Sequence, residues 1–199
     1  LVDKSLLQWD RRYGQQRLTM LESIRAFAAE MLEHHDELPE RQLAHARFFA
    51  DLAVRSGLDA AKRGPVQIDW MRRLERDQDN IHLALANCLS LGESNTALIF
   101  TNVMGRYWDT HLPAAEARAW IEQALALEPG GAHLSSGWAA IWGAMFAWRM
   151  SDRAATIAFE NEARRIWTIL DSARGMAWVD YHVAERLGFE GRYGEMVAI

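Results

Sequence analysis

The sequence predicts an all-α chain of antiparallel helix hairpins that repeat along its second half, preceded by one short β-hairpin. Three observations carry that reading. The four prolines, Pro39, Pro65, Pro113 and Pro129, each stand where an apolar pattern breaks, as expected of helix starts and interhelix turns. Between those breaks the apolar residues recur at steps of three and four, as in Leu21, Ile24, Ala28, Met31 and Leu32, which marks one buried helical face. Finally, Gly105-Arg106-Tyr107-Trp108 matches Gly143-Ala144-Met145-Phe146 and Ala184-Glu185-Arg186-Leu187 at spacings of 38 and 41 residues.

Taken in order, residues 5–20 read as a β-hairpin. Leu6-Leu7-Gln8-Trp9 and Gln16-Arg17-Leu18-Thr19-Met20 flank the polar turn Asp10-Arg11-Arg12-Tyr13-Gly14. Helices follow at about 21–32, 39–56, 67–91, 94–111, 114–128, 134–150, 152–171 and 174–190, each ended by Gly, Pro, Asp or Ser. Three regions result: 1–35 with the hairpin, 36–93 as a linking helical region, and 94–199 as the repeats.

In each repeat a small residue is followed three positions later by a large apolar one, then a break, then a second helix near Ala114, Asp152 or Arg192. Two antiparallel helices approach closely only where a small residue lies at their crossing. Gly105, Gly143 and Ala184 fill that role on the first helices, Ala117 and Ala155 on the second, with Met196 a departure in the third copy. The ending Ala124-Leu125-Ala126-Leu127-Glu128-Pro129 resembles that of a tetratricopeptide (TPR) repeat, so the array is expected to be a TPR-like superhelix.

Composition narrows the function. A net charge of −5 gives no basic field to draw the chain to nucleic acid or to an anionic membrane surface. One cysteine, Cys88, excludes an internal disulfide and fits a reducing cytoplasm. No apolar run approaches the roughly 20 residues that span a bilayer. Leu1 in place of Met, and the amphipathic start at Gly194-Glu195-Met196-Val197-Ala198-Ile199, lead us to expect a longer protein.

No constellation for catalysis or metal binding stands out. His34 and His35 are adjacent on a helix and so point about 100° apart, which suits a solvated helix end rather than a metal pair. Glu75, Asp77 and Asp79 follow at steps of two, which do not converge on a helix, and Arg72, Arg73 and Arg76 offset them, the pattern of a charged face. His45 and His82 stand alone, Cys88 lies in an apolar run, and Arg11-Arg12 are too few for a phosphate-binding wing.

Of the nine tryptophans, Trp108 and Trp142 fall on repeat positions that point between helices. The repeat alignment places Asn102, Arg106 and Asp109 of one copy, and Trp178, Tyr181 and Glu185 of another, on the groove side. There they form a mixed aromatic and ionisable set suited to a small-molecule inducer or a protein partner.

Two stretches carry a family resemblance. Leu1-Val2-Asp3-Lys4-Ser5-Leu6-Leu7-Gln8 followed by Arg17-Leu18-Thr19-Met20-Leu21-Glu22-Ser23-Ile24-Arg25-Ala26-Phe27-Ala28 resembles the end of the winged-helix segment of bacterial STAND regulators, the AfsR/LuxR-type ATPases. Trp70-Met71-Arg72-Arg73-Leu74-Glu75-Arg76-Asp77-Gln78-Asp79-Asn80-Ile81-His82-Leu83-Ala84-Leu85 resembles the helix that opens the sensor array of that family. The resemblance implies a winged-helix remnant, then a TPR-like sensor that holds an upstream ATPase shut until a signal binds. It also implies self-association on activation.

The chain has no G-x-x-x-x-G-K-[ST] motif, so nucleotide binding is expected before Leu1 and no cofactor is expected here. The expected role is non-catalytic sensing, autoinhibition and protein interaction in transcription regulation. The alternative is a TPR-type adaptor with no ATPase or DNA link, which would have no use for residues 1–28. An enzyme with a site spread over several helices is the third class, and it has no support in the sequence.

Overall fold

The computed structural model describes residues 1–10, 17–55 and 65–199. They are mostly helical, with one two-stranded antiparallel sheet. After a single 3-10 turn, Val2–Lys4, come β1 (Leu7–Asp10) and β2 (Arg17–Met20). The helices are α1 (Glu22–His34), α2 (Leu38–Arg55), α3 (Pro65–Ser90), α4 (Ser94–His111), α5 (Ala114–Ala126), α6 (Leu134–Arg149), α7 (Arg153–Ile169), α8 (Ala173–Phe189) and the short α9 (Tyr193–Met196). The expected hairpin and helices are therefore present, with ends differing by a residue or two. Residues Arg11 and Arg12 of its turn lie outside the described residues. Among the described residues no helix is long and apolar enough to cross a membrane.

The chain divides into two compact units, Leu1–Ala44 and His45–Ile199, the boundary falling inside α2. In the first, β1 and β2 pair Leu7 with Met20, Gln8 with Thr19 and Trp9 with Leu18. Because successive strand residues alternate faces, Leu7, Trp9, Leu18 and Met20 share one face and Gln8 and Thr19 the other. The Thr19 hydroxyl donates to the Gln8 carbonyl at 3.4 Å. Trp9, Leu18, Met20 and Phe27 are all exposed, and α1 buries no residue.

In the second unit one core runs from Ala46 and Phe49 of α2 through Leu74, Ile81 and Leu85 of α3, Phe100, Met104 and Trp108 of α4, and Ile121 of α5, to Phe146 of α6. A smaller core joins α6, α7 and α8 through Ala140, Ala163, Trp167 and Val179. Each helix from α4 to α8 packs on its neighbour in sequence, and α4, α6 and α8 also pack in succession.

The turns explain this regularity. Asp36, Gly92, Ser151, Asp171 and Gly191 all take a left-handed backbone, with φ between 48° and 72°. The next residue in each case donates its N–H five residues back: Glu37 to Leu32, Glu93 to Cys88, Asp152 to Ala147, Ser172 to Trp167 and Arg192 to Leu187, at 2.8–3.0 Å. That bond satisfies a carbonyl left over at the helix end and turns the chain sharply in one way each time. The following helix is then capped where it can be. Asp152 accepts from the Ala155 N–H and Ser172 from the Gly175 N–H.

Close approach depends on glycine facing an aromatic ring. A Cβ on Gly105 of α4 would lie 2.3 Å from the Trp142 ring of α6, and one on Gly143 would lie 2.6 Å from Phe159 of α7. Gly105 thus accommodates the first helix of the following hairpin, Gly143 the second helix of its own. Trp167 of α7 is held from two sides, by Gly137 of α6 and Gly175 of α8, where a Cβ would lie 2.5 Å and 2.1 Å from the ring. Ala117 is fully buried as expected of a crossing residue, while Ala155 and Ala184 are half-buried.

Gly175→Ala should therefore destabilise the fold by about 1–2 kcal/mol, because the overpacking cost exceeds the gain in helix propensity. Gly194→Ala, which meets open space, should not lower stability. Urea denaturation followed by circular dichroism at 222 nm compares the two midpoints.

Candidate functional site

Helix α8 carries Arg174, Trp178, Tyr181 and Glu185 at successive steps of four, three and four residues, which places them along one stripe. Helix α6 brings Trp138 beside it. The Trp138 and Trp178 rings meet edge to face at 5.9 Å and 74°, and Trp178 and Tyr181 at 5.8 Å and 77°. Trp138 is in turn buttressed by Trp167 at 5.4 Å and 69°. Trp178 is 38% exposed and Tyr181 56%, so the outer part of this corner faces solvent. The Arg174 guanidinium lies 5.8 Å from the centre of the Trp138 ring, within cation–π range. At the other end of the stripe the Tyr181 hydroxyl donates to Glu185 Oε1 over a long 3.4 Å.

The other expected trio sits on α4. Asp109 is committed to a helix-to-helix tie, accepting from Arg149 Nη1 of α6 at 2.7 Å, and its carbonyl accepts from the same nitrogen at 2.6 Å. Asn102 is half-buried and Arg106 exposed. The structure thus assembles Trp178, Tyr181 and Glu185 into one cluster and uses Asp109 to join α4 to α6. Sequence reading missed Trp138, Arg174 and Arg149. The repeat alignment puts the small residues Ala140, Ala144 and Ala147 at the groove positions of α6, and these are buried. The tryptophan that reaches the cluster lies elsewhere on the helix.

Behind the stripe, α6, α7 and α8 enclose a cavity of about 30 Å³ bordered by Trp148, Thr156, Glu160, His182, Glu185 and Arg186. Glu160 and Arg186 form a buried pair in which Arg186 Nε and Nη2 donate to the carboxylate at 2.9 Å and 2.8 Å. Arg186 also reaches Glu190 at 3.3 Å. Glu190 is bound too by Arg153 at 2.9 Å and Arg192 at 3.0 Å, and Arg192 by Glu195 at 2.6 Å. An open cleft of about 570 Å³ beside this network presents Arg153, Arg164, Arg186 and Arg192. All four already have a carboxylate partner, Arg164 through Asp180 at 2.7 Å. The cleft is charge-balanced and offers no unpaired cation to an anion.

Other polar clusters in the sequence stay apart. His34 and His35 are exposed, at the end of α1, with ring centres 5.3 Å apart. Glu75 and Asp79 are exposed on α3, and no group of three or more His, Cys, Asp or Glu among the described residues could hold a metal ion. Burial pushes the Cys88 thiol up to about 11, so it stays protonated and inert at neutral pH.

No family model matches this chain, and no curated protein or solved structure is significantly similar to it.

The buried ion pair predicts an ordering of variants. Arg186→Ala leaves the Glu160 carboxylate buried without its partner and should cost about 3–5 kcal/mol. The double variant Glu160→Leu/Arg186→Met removes both charges and should be closer to wild type than that single variant in urea denaturation.

Burial lowers the titration of His182, against the opposing carboxylates of Glu185 and Glu160. It also lowers that of His45, against a hydrogen bond with Asn80. Unfolded, both imidazoles titrate near 6.5. Below that value the unfolded chain binds more protons than the folded one, so stability falls as pH drops. Glu190, held down to about 2 by Arg153 and Arg192, contributes stability that is present above the ordinary carboxylate range and lost as pH falls toward 2. The melting temperature should therefore be lower at pH 5.5 than at pH 7.5, and His182→Gln should flatten that difference.

Proposed function

We propose that this chain is a non-catalytic, signal-sensing and autoinhibitory segment of a STAND-type transcriptional regulator, working in the cytoplasm by binding a protein partner or a small-molecule inducer. The reading rests on the order of its parts. An amphipathic β-hairpin and helix at the position that resembles the end of a winged helix precede a run of helix hairpins that presents an aromatic and charged stripe to solvent. The first hairpin supports a TPR-like array, since Thr101, Met104, Gly105 and Trp108 of α4 and Ala117, Ile121 and Ala124 of α5 are all buried at the spacing expected of such a repeat.

The mechanism we infer is a population shift. A partner that binds the released array better than the array docked on the upstream ATPase moves the protein toward release in proportion to that difference in affinity. The chain supplies the binding surface and the docking contacts, while nucleotide chemistry belongs to the expected upstream domain. Self-association of the released form is part of the same proposal. The adaptor reading shares the binding surface but leaves the hairpin and α1 without a role.

Two measurements test this. The gene should encode a G-x-x-x-x-G-K-[ST] phosphate loop before Leu1, and a gene without one overturns the reading. Deleting His45–Ile199 from the full-length protein should raise its basal ATP hydrolysis several-fold, and unchanged turnover would rule out autoinhibition by this array.

A further inference from the structure

The stripe on α8 combines features that select a ligand by charge. Trp138, Trp178 and Tyr181 meet at near-right angles, so the corner they form offers ring faces in more than one plane. Aromatic faces carry negative potential and attract cations. The protein already uses one of these rings in that way, since the Arg174 guanidinium lies 5.8 Å from the Trp138 centroid. Glu185 stands at the far end of the corner, where its carboxylate accepts the long Tyr181 hydroxyl contact and interacts electrostatically with His182. The nearby acids differ from it: Asp180 is bound by Arg164 and Glu160 by Arg186. An exposed carboxylate with no arginine or lysine partner among the described residues therefore sits beside two exposed aromatic rings.

From Arg174 to Glu185 the stripe rises about 16 Å along the helix, the length of about five extended residues. It bears a cation at one end and an anion at the other. That length and polarity suit a peptide segment lying along α8 better than a free small molecule.

We propose that the corner of Trp138, Trp178 and Tyr181, with Glu185 at its edge, binds an arginine or lysine side chain of a basic peptide segment. This deepens the sensing role proposed above, on which it rests for the identity of the protein that supplies the segment. The cationic head lies against the Trp178 and Tyr181 rings and its charge is met by the Glu185 carboxylate. Arg174 excludes a second cation from the Trp138 end, so one basic side chain is read at a time.

The test uses the 199-residue chain and two peptides, acetyl-Gly-Gly-Arg-Gly-Gly-amide and the same peptide with citrulline, which keeps the shape and loses the charge. Binding is followed by the chemical shifts of the Trp138 and Trp178 indole N–H groups, assigned with Trp138→Phe and Trp178→Phe, and in the Trp178→Ala variant by the Trp138 signal. The arginine peptide should bind in the millimolar range and the citrulline peptide at least fivefold more weakly. Trp178→Ala should weaken the arginine peptide about fivefold or more, and Glu185→Gln about two- to fivefold, with the far-UV spectrum unchanged. Equal binding of the two peptides, no binding of either, or undiminished affinity in both variants overturns the proposal. Should Trp178→Ala fail to fold, the exposed Tyr181→Leu takes its place. Arginine-selective binding by a chain whose gene lacks the phosphate loop would leave this proposal standing and sink the regulator reading, and the reverse pair of results would do the opposite.

Discussion

The structure around the aromatic stripe depends on one contact, the Trp167 ring held between Gly137 and Gly175. The ring is buried to 1% exposure at the junction of α6, α7 and α8. Neither flanking position has room for a side chain, so the two backbones come as near to the indole as atoms allow. Dispersion falls off steeply with a small gap, and a rigid bicyclic ring between two bare backbones leaves little freedom for the helices to slide. The same ring supports Trp138 edge to face, and Trp138 supports Trp178. The exposed corner therefore inherits its geometry from a buried wedge.

Charge is organised in a second layer. Ties such as Arg118 to Asp152 at 2.7 Å, Arg149 to Asp109 at 2.7 Å and Arg153 to Glu190 at 2.9 Å join residues 34 to 40 positions apart and thus link one hairpin to the next. Exposed pairs of this kind add little to stability one by one, but they fix which polar groups are already engaged. What remains on the α8 stripe is an aromatic corner with Arg174 and Glu185 at its two ends. A group already bound to a partner must break that contact before it can recognise another, which sets this remainder apart from the tied charges.

Much of this was legible in the amino-acid sequence. The helix spans follow from apolar residues at steps of three and four and from the placement of four prolines, both local properties of the chain. The spacing of Gly105 and Gly143 marks close approaches, and the repeat alignment groups Trp178, Tyr181 and Glu185 on the groove side. Other features had no local signal. Nothing in the sequence distinguishes the left-handed Ser151 and Asp171 from ordinary turn residues, although they close turns of the same kind as Gly92 and Gly191.

Partner choice was the larger gap, and it is a tertiary property. The repeat spacing marks Gly105 as a crossing residue without naming its neighbour, which is Trp142 of the next hairpin. Asp109 was grouped with the groove residues and is engaged by Arg149. Trp138 was not singled out at all, although it completes the aromatic corner, because its neighbour Trp178 lies 40 residues away and only the packing of α6 on α8 brings the rings together. The sequence by itself determined which segments are helical and which faces are apolar, since hydrophobic period and backbone sterics act over a few residues. The tertiary structure alone decided which side chains meet across helices and which charges are left over, because those depend on the angle and depth at which glycine and tryptophan let the helices pack.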